Sequence, residues 1–138
     1  MEEEKIRYLF DASALYPALR IFKERLYGLT KHSAILDLTF YEIGNTIITE
    51  FKRGSIKDWG LALRLWASIL KRFKTFHMNG LEEIGEIAVR EDLTFYDASY
   101  IQASKIMNLT LISNDNYLLT KAANYIKVMR PNELSMEQ

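Results

Sequence analysis

The stretch Ile6-Arg7-Tyr8-Leu9-Phe10-Asp11-Ala12-Ser13 decides how the fold is read. Its first part is short, apolar and aromatic, as a buried strand is, and it stops at Asp11-Ala12-Ser13, a polar group suited to starting a helix. From Ala14 to about Tyr27, the residues Leu15, Ala18, Leu19, Phe22 and Leu26 recur at spacings of three and four and paint one helical face. Pro17 lies in the first turn, where proline is tolerated.

The same alternation runs through the rest of the chain. Ala34-Ile35-Leu36 reads as a strand, followed by a helix from about Thr39 to Lys52 that Gly54 closes. A helix from about Lys57 to Phe73 carries Trp59, Leu63, Trp66, Leu70 and Phe73 in one stripe. Thr75 to Met78 is a weaker strand pattern. Leu81 to Val89 and Phe95 to Met107 read as helices separated by Arg90-Glu91-Asp92. Leu109 to Ile112 is a strand, Asn116 to Ala123 a short helix, and Ile126-Lys127-Val128 a last strand before Pro131. Short strands separated by helices, with no hairpin turn between them, describe a parallel sheet covered on both faces by right-handed crossovers. The fold class is α/β.

At 138 residues and 16.1 kDa, with no proline- or glycine-rich linker, residues 1–138 are expected to form a single domain. Hydrophobic residues make up 49% and charged residues 26%, which excludes a disordered chain. Lys plus Arg and Asp plus Glu are balanced at 18 each, so nucleic acid would have to be gathered by a local patch rather than by net charge. The absence of cysteine excludes disulfides, thiolate zinc sites and thiol catalysis. The start MEEEKIRYLF lacks the basic opening of a secretory signal, and no apolar run approaches the roughly 18 residues of a membrane span. A cytoplasmic protein with no membrane partner is expected.

Four acids fall at strand ends or helix starts: Asp11, Glu42, Asp97 and Asp115. In a parallel α/β sheet these places share one edge, where strand carboxyl ends meet helix amino ends and ligands bind. Each acid also fits a plain structural role. Thr39 with Glu42 and Thr94 with Asp97 match the capping box, and Asp11 and Asp115 can be helix caps. The near-repeat of Asp37-Leu38-Thr39-Phe40-Tyr41-Glu42 in Asp92-Leu93-Thr94-Phe95-Tyr96-Asp97 suggests that two helices begin alike. A carboxylate recurring at four loops of one rim is more than capping requires, since Ser, Thr or Asn would serve as well. Two carboxylates about 5 Å apart repel by about 3 kcal/mol at an effective dielectric near 20. A divalent cation relieves that repulsion, and all-oxygen ligands favour Mg²⁺ or Mn²⁺.

The chain resembles the PIN-domain nucleases, and most closely the VapC-like toxins of bacterial and archaeal toxin–antitoxin pairs. The resemblance rests on Asp11-Ala12-Ser13, Glu42-Ile43-Gly44-Asn45, Tyr96-Asp97-Ala98 and Ser113-Asn114-Asp115, in that order along almost the whole chain. It implies a five-stranded parallel sheet ordered 3-2-1-4-5, with Asp11 and Asp115 as neighbours. It also implies that Asp11, Glu42, Asp97 and Asp115 form a catalytic, metal-binding quartet for Mg²⁺ or Mn²⁺, supported by Ser13, Asn45 and Ser113. The implied activity is endonucleolytic cleavage of RNA, with a cognate antitoxin as partner and a homodimer as the assembly. Some members carry a further acid two or three residues beyond the last one, where this chain has Tyr117 and Leu118, a departure from the pattern that a fully occupied second metal site would need.

Other readings stay open. A PIN-type nuclease of RNA processing or DNA repair would share the motifs, although a compact chain favours the toxin. A non-catalytic α/β binding module, such as a phosphoacceptor regulator, expects a lysine after a later strand, which Asn114-Asp115-Asn116 does not supply. Lys52, Arg53, Lys57, Arg64, Lys71, Arg72 and Lys74 form a solvated face or a patch for RNA phosphates. The stripe of Trp59, Trp66 and Phe73 is core or, in part, an antitoxin groove or dimer interface. Asp37 and Asp92 read as loop acids, and His32 and His77 as structural residues without a ligand partner.

Overall fold

A computed structural model of the chain describes residues 5–134. Strand β1 (Tyr8–Phe10) runs into α1 (Ala12–Phe22), as the opening stretch predicts. There follow α2 (Leu26–Thr30), β2 (Ser33–Leu36), α3 (Leu38–Lys52), α4 (Trp59–Leu70) and β3 (Lys74–Phe76). The second half comprises α5 (Leu81–Glu91), α6 (Phe95–Met107), β4 (Thr110–Ile112), α7 (Asn116–Ala122) and β5 (Val128–Met129). All paired strands are parallel and the order is β3-β2-β1-β4-β5.

Alternation along the strands divides the core in two. Tyr8 and Phe10 of β1, Ile35 of β2 and Ile112 of β4 face the layer of α1, α2, α3 and α4. Leu9, Ala34, Leu36 and Leu111 face the layer of α5, α6 and α7. A strand buried on both faces has no polar side, which is why these strands read as unbroken apolar runs. Phe10 meets Phe73 edge-on with ring centroids 5.5 Å apart, joining the central strand to the chain that follows α4.

Several boundaries differ from the sequence pattern. The helix expected from Ala14 to Tyr27 breaks at Lys23, whose φ of 51° ends α1 and starts a 3-10 turn over Lys23–Arg25 before α2. The break lets Leu26 and Leu29 pack against the same layer as α1. Helix α4 starts at Trp59, capped by Asp58, and ends at Leu70. Trp59, at the first helical position, is 47% exposed, because the core beneath α4 is supplied by Trp66, Ile69 and Leu70 further along. The last strand falls on Val128–Met129 rather than Ile126–Val128, in register with Leu111 and Ile112. The lysines and arginines of the stretch 52–74 are all exposed.

The two echoed segments do not start helices in the same way. Asp37 caps α3 through its side chain and Leu38 N–H, so Thr39 and Glu42 fall inside the helix and make no capping box. Thr94 caps α6 by accepting from Asp97 N–H. Glu42 therefore sits deeper in its helix than Asp97 does. That shift turns Thr39 inward, where it is fully buried.

Candidate active site

Asp11 ends β1 and caps α1. Its Oδ1 accepts from the Ser13 hydroxyl at 2.7 Å and from Ala14 N–H at 3.1 Å, and its Oδ2 accepts from the Ser113 hydroxyl at 2.7 Å. Ser113 comes from the end of β4, which pairs with β1, so a neighbouring strand supplies the second serine. The two serine hydroxyls lie 3.2 Å apart. Ser13 Oγ also accepts from Asn114 N–H and Ser113 Oγ from Asp115 N–H, fastening the β4–α7 loop to the β1–α1 loop.

Asp11 is only 5% exposed, and burial pushes its carboxyl up to about 6 despite the three hydrogen bonds that favour the charged form, with the nearby Glu42 charge adding to the rise. A carboxylate offers about four lone-pair positions. Three are taken by these donors, leaving room for one further partner.

Glu42 projects from α3 and accepts from the Tyr100 hydroxyl at 2.6 Å. The same hydroxyl lies 2.6 Å from that of Thr39. Burial raises the Glu42 carboxyl, the Tyr100 bond opposes the rise, and the Asp97 charge adds to it. Asp97, in the first turn of α6, is raised by burial and then by the charge of Asp115, against a lowering contact with Thr94. Asp115 caps α7, with Oδ1 accepting from Tyr117 N–H and Leu118 N–H at 2.9 and 3.1 Å.

The four acids named from the sequence thus lie on one edge of the sheet and form a chain of repulsion, Asp11 to Glu42 to Asp97 to Asp115. They do not close into a cluster: among the described residues no three acidic or histidine side chains come close enough together to hold a metal ion. The donor chemistry nonetheless suits a hard divalent cation, since the set consists of carboxylates held near one another at a cost that positive charge would relieve.

The supporting residues divide. Ser13 and Ser113 bind Asp11 directly. Asn45 is exposed and borders a hollow of about 370 Å³ with Ser13, Tyr16 and Glu42, where it contacts none of the acids through a hydrogen bond.

Sequence reasoning missed Tyr100 and Thr39. The available signal is positional: Tyr100 follows Asp97 by three residues on α6 and so shares its face. It also missed the pair formed by Asp37 and His77, 2.6 Å apart at the ends of β2 and β3. Asp37 is therefore a helix cap and a hydrogen-bond partner of His77 rather than a free loop acid, and His77 has a partner.

The chain is 39% identical over 123 residues to Exonuclease VapC9 of Pyrobaculum aerophilum, a span of 89% of this chain and 91% of that protein. The chain belongs to the VapC family. A crystal structure of PAE2754, also from Pyrobaculum aerophilum, superposes on this VapC chain with a TM-score of 0.83 at 35% identity, covering 94% of this chain and 93% of that one. A toxin–antitoxin complex from Klebsiella pneumoniae contains a chain with a TM-score of 0.60 at 17% identity, covering 92% of this chain and 99% of that one, a likeness of fold. No family model matches the sequence. The strand order 3-2-1-4-5 that the motifs implied is the order found in this VapC protein.

Proposed function

We propose that this VapC protein is a nuclease toxin that cleaves RNA phosphodiester bonds endonucleolytically, using Mg²⁺ or Mn²⁺ held by Asp11, Glu42, Asp97 and Asp115. A cognate antitoxin restrains it, and it works in the cytoplasm as a homodimer. The reading is supported by four carboxylates that repel one another in sequence along one sheet edge, in a chain 39% identical to a protein named as an exonuclease. No helix of the described residues is long and apolar enough to cross a membrane.

A bound divalent cation lowers the pKa of water and offsets the charge that develops on the phosphate oxygens. The chain's own residues prepare the rest. Ser13 and Ser113 fix both oxygens of Asp11, so its orientation is set before any ligand arrives. Tyr100 fixes one oxygen of Glu42 and leaves the other to orient or deprotonate the attacking water.

The test is cleavage of a closed circular RNA. Metal-dependent linearisation by the wild type, abolished by EDTA and by Asp97→Asn in a variant that still folds, is the expected result. Degradation of linear RNA alone would replace the endonucleolytic mode with the exonucleolytic one carried in the relative's name. Full activity of Asp97→Asn would remove the acid site from the mechanism.

A further inference from the structure

On the edge of the sheet away from the acids, the amino ends of β1 and β4 and the approach to β5 border a cavity of about 880 Å³. Its volume is in the range that encloses a small organic ligand. Lys5, Lys105 and Lys127 line it, and among the described residues none of the three forms an ion pair. The one acid among the described lining residues is Glu133, whose carboxylate accepts Arg130 N–H at 2.7 Å. In a chain with no net charge, this is a local excess of positive charge around a concave surface. Lys105 lies in the last turn of α6, where it also complements the helix dipole. Lys5 and Lys127 lie outside helices and have no such role.

One further observation points to a ligand. Tyr125 supplies an aromatic wall that is held in place, because its hydroxyl donates to Glu91 at 2.7 Å and accepts from Arg90 at 3.3 Å. Fixed aromatic rings beside cations are what a base joined to a phosphate requires.

We propose that this cavity binds a nucleoside monophosphate, with the phosphate taken by Lys5, Lys105 and Lys127 and the base laid against Tyr125. A phosphate monoester is a compact dianion whose oxygens accept from several ammonium groups at once, which a carboxylate does less well. The site stands apart from the acids and does not depend on the nuclease reading.

Calorimetric titration of the full chain with adenosine monophosphate, in excess EDTA, tests it. Under those conditions the acid edge carries no cation and repels anions, so saturable one-to-one binding reports the lysine cavity. Lys105→Gln and Lys127→Gln are each expected to weaken binding about tenfold. Tyr125→Leu is expected to weaken adenosine monophosphate while sparing inorganic phosphate, and Asp97→Asn to bind as the wild type does. If Tyr125→Leu does not fold, the two lysine variants and the comparison of adenosine monophosphate with inorganic phosphate decide the matter. No saturable binding at millimolar nucleotide, equal binding by the lysine variants, or equal affinity for inorganic phosphate would each overturn the proposal.

Discussion

Tyr100 of α6 donates its hydroxyl to Oε1 of Glu42 on α3 at 2.6 Å, across 58 residues of sequence. The bond joins helices from opposite layers of the sheet at the edge where the acids meet, with Thr39 against the same hydroxyl. Burial holds the phenol well above its ordinary pKa, and the Glu42 charge adds to the effect, so Tyr100 acts as a permanent donor.

Tyr100→Phe removes that donor and leaves Thr39 without its side-chain partner. The bond lowers the Glu42 carboxyl against its burial, so its loss is expected to raise Glu42 further and move the acid limb of the pH–rate profile to higher pH. Stability is expected to fall by about 1–3 kcal/mol. A pH–rate profile identical to the wild type would show that Tyr100 does not tune Glu42.

Asp11 makes stability fall as pH rises. Its folded pKa of about 6 lies above the ordinary value of 3.8, so between these values the native state keeps a proton that the unfolded chain has lost. The stabilisation is present below pH 3.8 and is lost as pH climbs through about 6. A shift of this size corresponds to about 3 kcal/mol as an upper figure. Asn is an equally good cap, so Asp11→Asn is expected to flatten this part of the stability curve in urea titrations from pH 4 to 8. A variant curve parallel to the wild type would place the pH dependence elsewhere.

Ser113→Ala takes away one donor to Asp11 and the acceptor for Asp115 N–H in a single change. Because Ser113 is fully buried, the loss is expected to cost about 1–3 kcal/mol and to loosen the β4–α7 loop. Thermal melting measures the first effect and amide exchange at Asn114 and Asp115 the second. Unchanged protection at both amides would contradict the bridging role.

Mg²⁺ or Mn²⁺ at millimolar concentration is expected to raise the melting temperature at pH 7.5, since a cation that binds only the folded acids stabilises them by mass action. The rise is expected to shrink in Asp97→Asn and to vanish with EDTA. A wild-type melt indifferent to both metals would count against the acid site.

The alternation of short apolar runs with amphipathic helices is a local property, and it was enough to read a parallel α/β sheet from residues such as Tyr8–Phe10 and Thr110–Ile112. The acids at strand ends were legible for the same reason, because a parallel sheet sends every strand's carboxyl end to one edge. Asn45 borders the same hollow as Ser13 and Glu42 without a hydrogen bond to either Asp11 or Glu42, since sequence proximity to an acid does not by itself fix a helical side chain's partner.

What the chain alone determined was the period of its pattern and the order in which strand ends deliver carboxylates. Tertiary structure decided the rest: that Ser113 reaches Asp11 across paired strands, that Tyr100 meets Glu42 from the opposite layer, and that Asp37 finds His77. These contacts join residues 40 to 102 positions apart, and no local spacing encodes them, because they exist only once the sheet has brought separate segments side by side.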